Sequence, residues 1–206
     1  MNIIHRKTFF SAYRGAWGKL TQVQVSGLDA LLSALEADAD VTDIRHAAYM
    51  LATVRHECAD TWAPIAERGT PAYFDKYEPG TKLGRQLGNV ATGDGARYKG
   101  RGYPQITGLA NYARISREIG MGDALVASPD RALEPAIAYR IMSAGMRRGL
   151  FTGRKLAHYI NAQGCDYLNA RRVINSLDCA DRIAGYAAVF EAILRDSAAE
   201  ATRSVA

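Results

Sequence analysis

Three cysteines, Cys58, Cys165 and Cys179, are all the thiol chemistry this chain carries. An odd number with no Cys-x-x-Cys spacing excludes a disulfide scaffold and a zinc ribbon, so reduced thiols are expected. No apolar run reaches the roughly 18 residues that a bilayer crossing needs, which argues against stable membrane insertion. The first residues also lack an apolar core of signal-peptide length: charge breaks Met1-Asn-Ile-Ile-His-Arg-Lys at once, and Phe9-Phe10 is followed by Ser11, Tyr13 and Arg14. The expectation is a protein made in the cytoplasm without a signal peptide. Gly-x-Ser-x-Gly elbows and Walker-type phosphate loops are missing, so acyl and phosphoryl transfer have no support. Position 60, where a zinc protease would continue His56-Glu57 to a second histidine, holds Asp60. A looser metal set from His46, His56 and Cys58 is conceivable, but helical histidines are more often packed or capping groups, and neither metal nor cofactor is expected. Alternating β-branched runs are scarce as well, which leaves a mainly α chain.

At 206 residues, 48% apolar and 23% charged, the chain has the composition of a globular protein of one or at most two domains. Its 26 basic and 21 acidic residues give a formal charge of +5, which suits a polyanionic partner: nucleic acid, anionic lipid or the acidic bacterial cell wall. The bases are scattered, with no run longer than Arg147-Arg148 or Arg171-Arg172, so a mixed solvated surface is the simpler reading and nucleic acid is not expected.

Thr21-Gln-Val-Gln24 has the spacing of a capping box and opens a helix with Val25, Leu28, Leu31, Leu32 and Leu35 on one face. Thr42 can cap a second helix through Ala47, Ala48, Leu51, Ala52 and Val54 to about Cys58. From Gly69 to Gly102 the pattern dissolves into Gly, Pro, Asp and Tyr, which predicts a loop-rich lobe at about 63–102 inserted between helices, with small strands of its own. Within it Tyr73-Phe-Asp-Lys-Tyr77 reads as a short aromatic strand ending in a turn at Glu78-Pro79-Gly80. Helices are expected again at Ala110 to Ile119, Pro135 to Arg148, Leu156 to Ile160, Asn169 to Ile174 and Ala180 to about Arg195. The tail from Ser197 to Ala206 is small and polar and is expected to fray. No repeat or linker is visible, so one domain spanning 1–206 is predicted.

Two features carry chemistry. Tyr98-Lys-Gly-Arg-Gly-Tyr-Pro-Gln-Ile-Thr-Gly-Leu-Ala-Asn-Tyr112 sets a tight turn, with glycines flanking Arg101, beside Tyr103, Gln105, Thr107, Asn111 and Tyr112. Gln105 and Thr107 alternate, so an extended segment points both to one side. Such a surface can hold a sugar, and the plainer reading is a turn leading through a buried Ile106 into a helix. Glu57, in the last turn of the second helix, falls at the edge of its apolar arc near Met50 and Val54. Half burial there disfavours the charged form, as a general acid requires. Glycoside hydrolysis needs a second carboxylate, about 6.5–9.5 Å away in an inverting mechanism and nearer 5 Å in a retaining one. Glu67, Asp75, Glu78 and Asp94 are the candidates, and Glu67 could instead form a salt bridge with Arg68 or another lobe arginine.

At this point the chain resembles the family-19 glycoside hydrolases, in particular their phage branch, the endolysins. His56-Glu57 resembles the family's catalytic His-Glu. Pro64-Ile65 with Glu67 and Gly69, Tyr73-Phe74, Tyr77-Glu78 and Leu87-Gly88-Asn89 resemble the phage lobe. Gly93-Asp94-Gly95 with Tyr98 to Tyr112 resembles the core motif, and Asn169 to Asn175 with Ala180-Asp-Arg-Ile183 and Tyr186 resembles the closing helices. Two departures, Ser176-Leu177 in place of Gly-Gly and the lack of plant-type cysteines, point away from a secreted plant chitinase.

The resemblance implies a mainly α, lysozyme-like two-lobed domain with a small irregular, β-containing lobe and no separate wall-binding domain. It implies Glu57 as general acid and Glu78 as the best-spaced general base, with Glu67 as rival. Thr107 would hold the water, Gln105 and Asn111 would bind an acetamido sugar, and Tyr103 and Tyr112 would line the cleft. His56, Tyr98, Arg101 and Asn175 complete the expected substrate set, and Arg182 would tune the acids. The expected activity is hydrolysis of the β-1,4 bond between N-acetylmuramic acid and N-acetylglucosamine in peptidoglycan. The enzyme would be a monomer that reaches the wall after a separate protein permeabilises the membrane. A chitinase, a wall-binding protein that has lost catalysis, and a non-catalytic basic helical binding module are the alternatives.

Overall fold

The first helix of the chain, α1 (Arg6–Trp17), has no counterpart among the sequence expectations, whereas α2 (Gln22–Ala37) begins where its capping box predicts. Thr21 Oγ1 accepts from Gln24 N and Gln24 Oε1 accepts from Thr21 N at 2.8 Å, so two otherwise orphaned donors are satisfied. The computed structural model describes residues 3–205, and the chain is mostly helical (62%), with the lysozyme-like fold expected from the sequence. It divides into two compact units: Met1–Ala63 with Met146–Ala206, and Pro64–Gly145. The second unit thus extends well beyond the predicted lobe at 63–102, because the helices after Gly102 cluster with it.

In the first unit, α3 (Ile44–Glu57) is capped by Asp43, not Thr42: the Asp43 carboxylate accepts from Arg45 N at 2.9 Å and also pairs with the Arg45 guanidinium. Residues Ala47 to Val54 of α3 are buried without interruption. Small side chains at Ala47, Ala48 and Ala52 leave room for neighbours, and burial of Tyr49, Met50 and Leu51 supplies apolar area worth roughly 1.5–3 kcal/mol per large side chain.

The chain leaves α3 through a strained turn. Ala59, Asp60 and Trp62 have φ of 47°, 59° and 59°, a left-handed region that costs a non-glycine residue roughly 1–2 kcal/mol. Surroundings hold it in place. Gln24 Nε2 donates to Asp60 O at 2.9 Å, Arg55 Nε donates to Asp60 Oδ1 at 2.8 Å, and the Trp62 ring is fully buried, edge-on to Tyr13 and Phe190. Gly27 is required there, since a Cβ would strike the Trp62 carbonyl oxygen. The Arg55 guanidinium lies 4.0 Å from the Trp17 ring centroid and 4.3 Å from that of Tyr186.

The second unit begins with β1 (Ile65–Ala66), then α4 (Pro71–Phe74), a 3-10 turn at Asp75–Tyr77, α5 (Lys82–Gln86) and α6 (Asp94–Arg97). The expected aromatic strand at Tyr73 to Tyr77 is therefore helical: Pro71 sits in the first turn of α4, where its missing N–H costs nothing, and starts the chain helically. β2 (Arg101–Gly102) pairs antiparallel with β1, Ile65 opposite Gly102 and Ala66 opposite Arg101. Then follow α7 (Leu109–Glu118), α8 (Ala124–Ala127) and α9 (Pro135–Arg148), the first and last close to the predicted bounds.

Leu156 to Ile160 forms only a 3-10 turn (Leu156–His158) before the hairpin of β3 (Ile160–Asn161) and β4 (Gly164–Cys165), a correction to the expected helix. The Asn169 to Ile174 segment is α10 (Tyr167–Ala170) running into a 3-10 turn at Arg171–Val173. α11 (Ala180–Val205) packs most extensively against α3 and also against α1 and α10. It overruns the predicted end near Arg195, because Ser197 is buried, back-bonds to Ile193 O, and accepts His5 N on its own carbonyl. Of the tail expected to fray, Ala206 lies outside the described residues.

Candidate active site

Glu57 is the last residue of α3, and its side chain is 22% exposed, as half-buried as its place on the helical wheel predicts. What the wheel does not show is its partner. Arg171 Nη1 donates to Glu57 Oε1 at 2.5 Å, and the Arg171 side chain is 3% exposed, its Nε bound to Asp178 O at 3.0 Å. The sequence reading assigns this role to Arg182, but Arg182 lies exposed in the first turn of α11. Arg171 sits in the Asn169 to Asn175 block already singled out; the 3-10 turn after α10 turns it inward. Next to Glu57, Cys58 is fully buried, and burial pushes its thiol up to about 12, which disfavours the reactive thiolate. His46 Nε2 contacts Ile160 O at 2.9 Å, and no group of three or more potential metal ligands occurs among the described residues. His56 is half-buried, and Asn175 is exposed, its side chain accepting from Ser176 N.

In the second unit the candidate carboxylates separate by what holds them. Asp94 is buried and accepts from Val90 N and Ala91 N, the bonds of a turn. Asp75 is exposed in the 3-10 turn. Glu78 accepts from Gly93 N at 2.9 Å through one oxygen and from Gly95 N at 3.1 Å through the other. That is a cap on α6; a Cβ at Gly95 would come within 2.7 Å of Glu78 Oε1.

Glu67 follows β1, and its side chain is 14% exposed. Tyr77 Oη donates to its Oε1 at 2.9 Å, Gly100 N donates to its Oε2 at 3.1 Å, and Lys76 Nζ lies 3.7 Å away. Its ion-pair partner is thus Lys76, not the anticipated arginine. Burial and the bond to Glu67 together push the Tyr77 hydroxyl above its ordinary range, so it stays a donor. Glu67 also lines an open groove of about 480 Å³ with Ile65, Arg68, Gly69 and Lys99, which the spacing argument for Glu78 did not anticipate.

The glycine-bounded block is more internal than expected. Tyr103 and Tyr112 are buried, as are Tyr98 and Ile106, so the expectation that they present ring faces to a ligand is corrected. The Tyr112 hydroxyl donates to Lys99 O and accepts from Arg101 Nη1, and burial pushes it up to about 12. Arg101 is buried and ties Asp130, Arg97 O and Lys99 O to this cluster. Gln105 lies in a turn rather than an extended segment, its amide oxygen against the Cα of Gly100. Asn111 is committed to Thr107 O and Arg114. Thr107 is half-buried, and its hydroxyl makes no hydrogen bond to another described residue. The block is a strut behind β2 that fixes the Lys99–Gly100 backbone, and through Gly100 the Glu67 carboxylate.

No protein-family model and no curated protein matches the chain. Solved structures do. Chitinase C from Streptomyces griseus HUT6037 superimposes with a TM-score of 0.61 at 21% identity, over 90% of this chain and 75% of that one. A glutamate-to-glutamine mutant of chitinase C gives 0.59 at 19% identity, over 93% of this chain and 92% of that one. At such identities the likeness is one of fold: this chain has the fold of chitinase C.

Proposed function

We propose that the protein is a glycoside hydrolase of the endolysin type, cutting the β-1,4 bond between N-acetylmuramic acid and N-acetylglucosamine in peptidoglycan. The observation that carries the reading is the half-buried Glu57 carboxyl at the end of α3, bound by the buried Arg171. In the reaction, protonated Glu57 gives its proton to the glycosidic oxygen as the bond to C1 breaks. A second carboxylate takes a proton from the water that attacks C1 from the opposite face, so the anomeric configuration inverts. Arg171 stabilises the carboxylate that Glu57 becomes.

For the second carboxylate we choose Glu67 over Glu78. Both carboxylates have each oxygen hydrogen-bonded, but those of Glu78 cap the start of α6, whereas Glu67 lines an open groove and is oriented there by Tyr77, Lys76 and Gly100 N. Thr107 would hold the water, the role that the family resemblance implies for it. As a monomer released to the wall by a separate membrane-permeabilising protein, the enzyme would need no cofactor.

A second reading, chitinase, has one observation in its favour: the two solved structures compared above are both chitinase C. One assay separates them. Purified murein and glycol chitin are incubated with the protein, and release of reducing ends is followed for each. Faster release from murein supports the endolysin reading; release from glycol chitin alone replaces it with the chitinase reading, and release from neither removes both.

A further inference from the structure

The groove beside Glu67 holds more positive charge than its own carboxylate requires. Its rim carries Arg68, which is exposed, and Lys99, which is half-exposed with its ammonium 5.2 Å over the Phe74 ring. Neither has an acidic partner among the described residues, whereas the buried Arg101 and Arg171 each pair with a carboxylate. The neighbouring Lys76 supplies the cation for Glu67 and rests 3.5 Å over one face of the Tyr73 ring, and Tyr73 as a whole is 43% exposed. Glu67 is thus already neutralised locally, and Arg68 and Lys99 are surplus. Cations left unpaired in a concave site are the usual arrangement for an anionic ligand, since a neutral ligand would gain nothing from them.

We propose that this groove selects a glycan carrying carboxylates over a neutral one of the same length, with Arg68 and Lys99 as the residues that read the charge and Tyr73 as an adjoining ring face for a sugar. The proposal rests on the hydrolase reading for the polymer, but its own content is the charge preference. Two sources of carboxylate exist in peptidoglycan: the acidic residues of the stem peptide, and the lactyl group once an amidase has removed that peptide. A charge-assisted contact to either is worth about tenfold or more in affinity.

The test uses the full chain carrying Glu57→Gln, so that binding is measured without turnover. Calorimetric titrations compare a chitin oligosaccharide, peptidoglycan strands of equal length with their stem peptides, and the same strands stripped by an amidase. The expected result is acidic strands bound about tenfold or more tightly than the neutral oligosaccharide at low salt, the gap narrowing as salt rises. Adding Arg68→Gln and Lys99→Gln should bring the affinities to within about twofold, while Lys99→Arg should keep the preference. Equal binding of acidic and neutral strands, or a preference the double variant retains, overturns the proposal. Comparison of intact with stripped strands names the carboxylate. Failure of the native protein to cleave either polymer would refute the hydrolase reading and leave the measured binding preference to stand or fall separately.

Discussion

Arg171 Nη1 lies 2.5 Å from Glu57 Oε1, a pair that joins the last residue of α3 to the 3-10 turn after α10. The two residues are far apart in sequence, so the bond is a property of the tertiary fold of the first unit. Arg171 is almost wholly buried, and removing it leaves the half-buried Glu57 carboxylate without its partner. Arg171→Met is expected to destabilise the protein by about 2–4 kcal/mol. Urea midpoints measure it. Arg171→Lys should also lose activity, since an ammonium cannot bond Glu57 and Asp178 O with one planar fork.

Glu67 and Glu78 should separate in a paired experiment. Glu67→Gln keeps the shape and most of the hydrogen bonds of the side chain, and its predicted effect is a fall in kcat of about 10²-fold or more with little change in the thermal midpoint. Glu78→Ala leaves Gly93 N and Gly95 N without acceptors, so a stability loss of about 1–2 kcal/mol is expected, with kcat of the folded protein largely kept. The opposite pattern would return the catalytic role to Glu78.

Acid should expose the cap of α3. The Arg45 guanidinium bound to Asp43 is the chief cause of its lowered pKa, aided by the bond from Arg45 N. A carboxylate lowered on folding contributes stability above its unfolded value, about 3.9, and that contribution is lost as pH falls through the folded value. Asp43→Ala should therefore cost about 1 kcal/mol at pH 7. The difference from the native protein should shrink as pH is taken below about 4, and urea midpoints at pH 7 and pH 3 measure both ends.

Cys165 and Cys58 should differ in reactivity. Cys165 is exposed, whereas Cys58 is buried and held near 12. A chromogenic disulfide reagent at pH 8 should modify Cys165 in the native protein and reach Cys58 only after unfolding. Rapid native modification of Cys58 would mean that the end of α3 opens readily.

The parts of the fold legible in the sequence were those decided locally. Thr21 and Gln24 satisfy each other within one turn, and Pro135 to Arg148 repeats its apolar residues over enough turns for the period to show. The second unit was harder, because α4, α5 and α6 are each about one turn long, too short for periodicity to register. The placement of Glu57 followed from its wheel position. Arg171, by contrast, could not be told from Arg182 by spacing, because the choice depends on which face of each helix meets α3. Likewise Tyr103 and Tyr112 look like ligand-binding rings in sequence, and only packing against Arg101 and Lys99 O reveals them as internal supports.

The central claim is that Glu57 is the acid of a glycosidase, and Glu57→Gln tests it most directly. Reducing-end release from purified murein should fall by at least about 10²-fold, with the circular dichroism spectrum and hydrodynamic size of the native protein retained. Undiminished release by a folded Glu57→Gln protein would contradict the account.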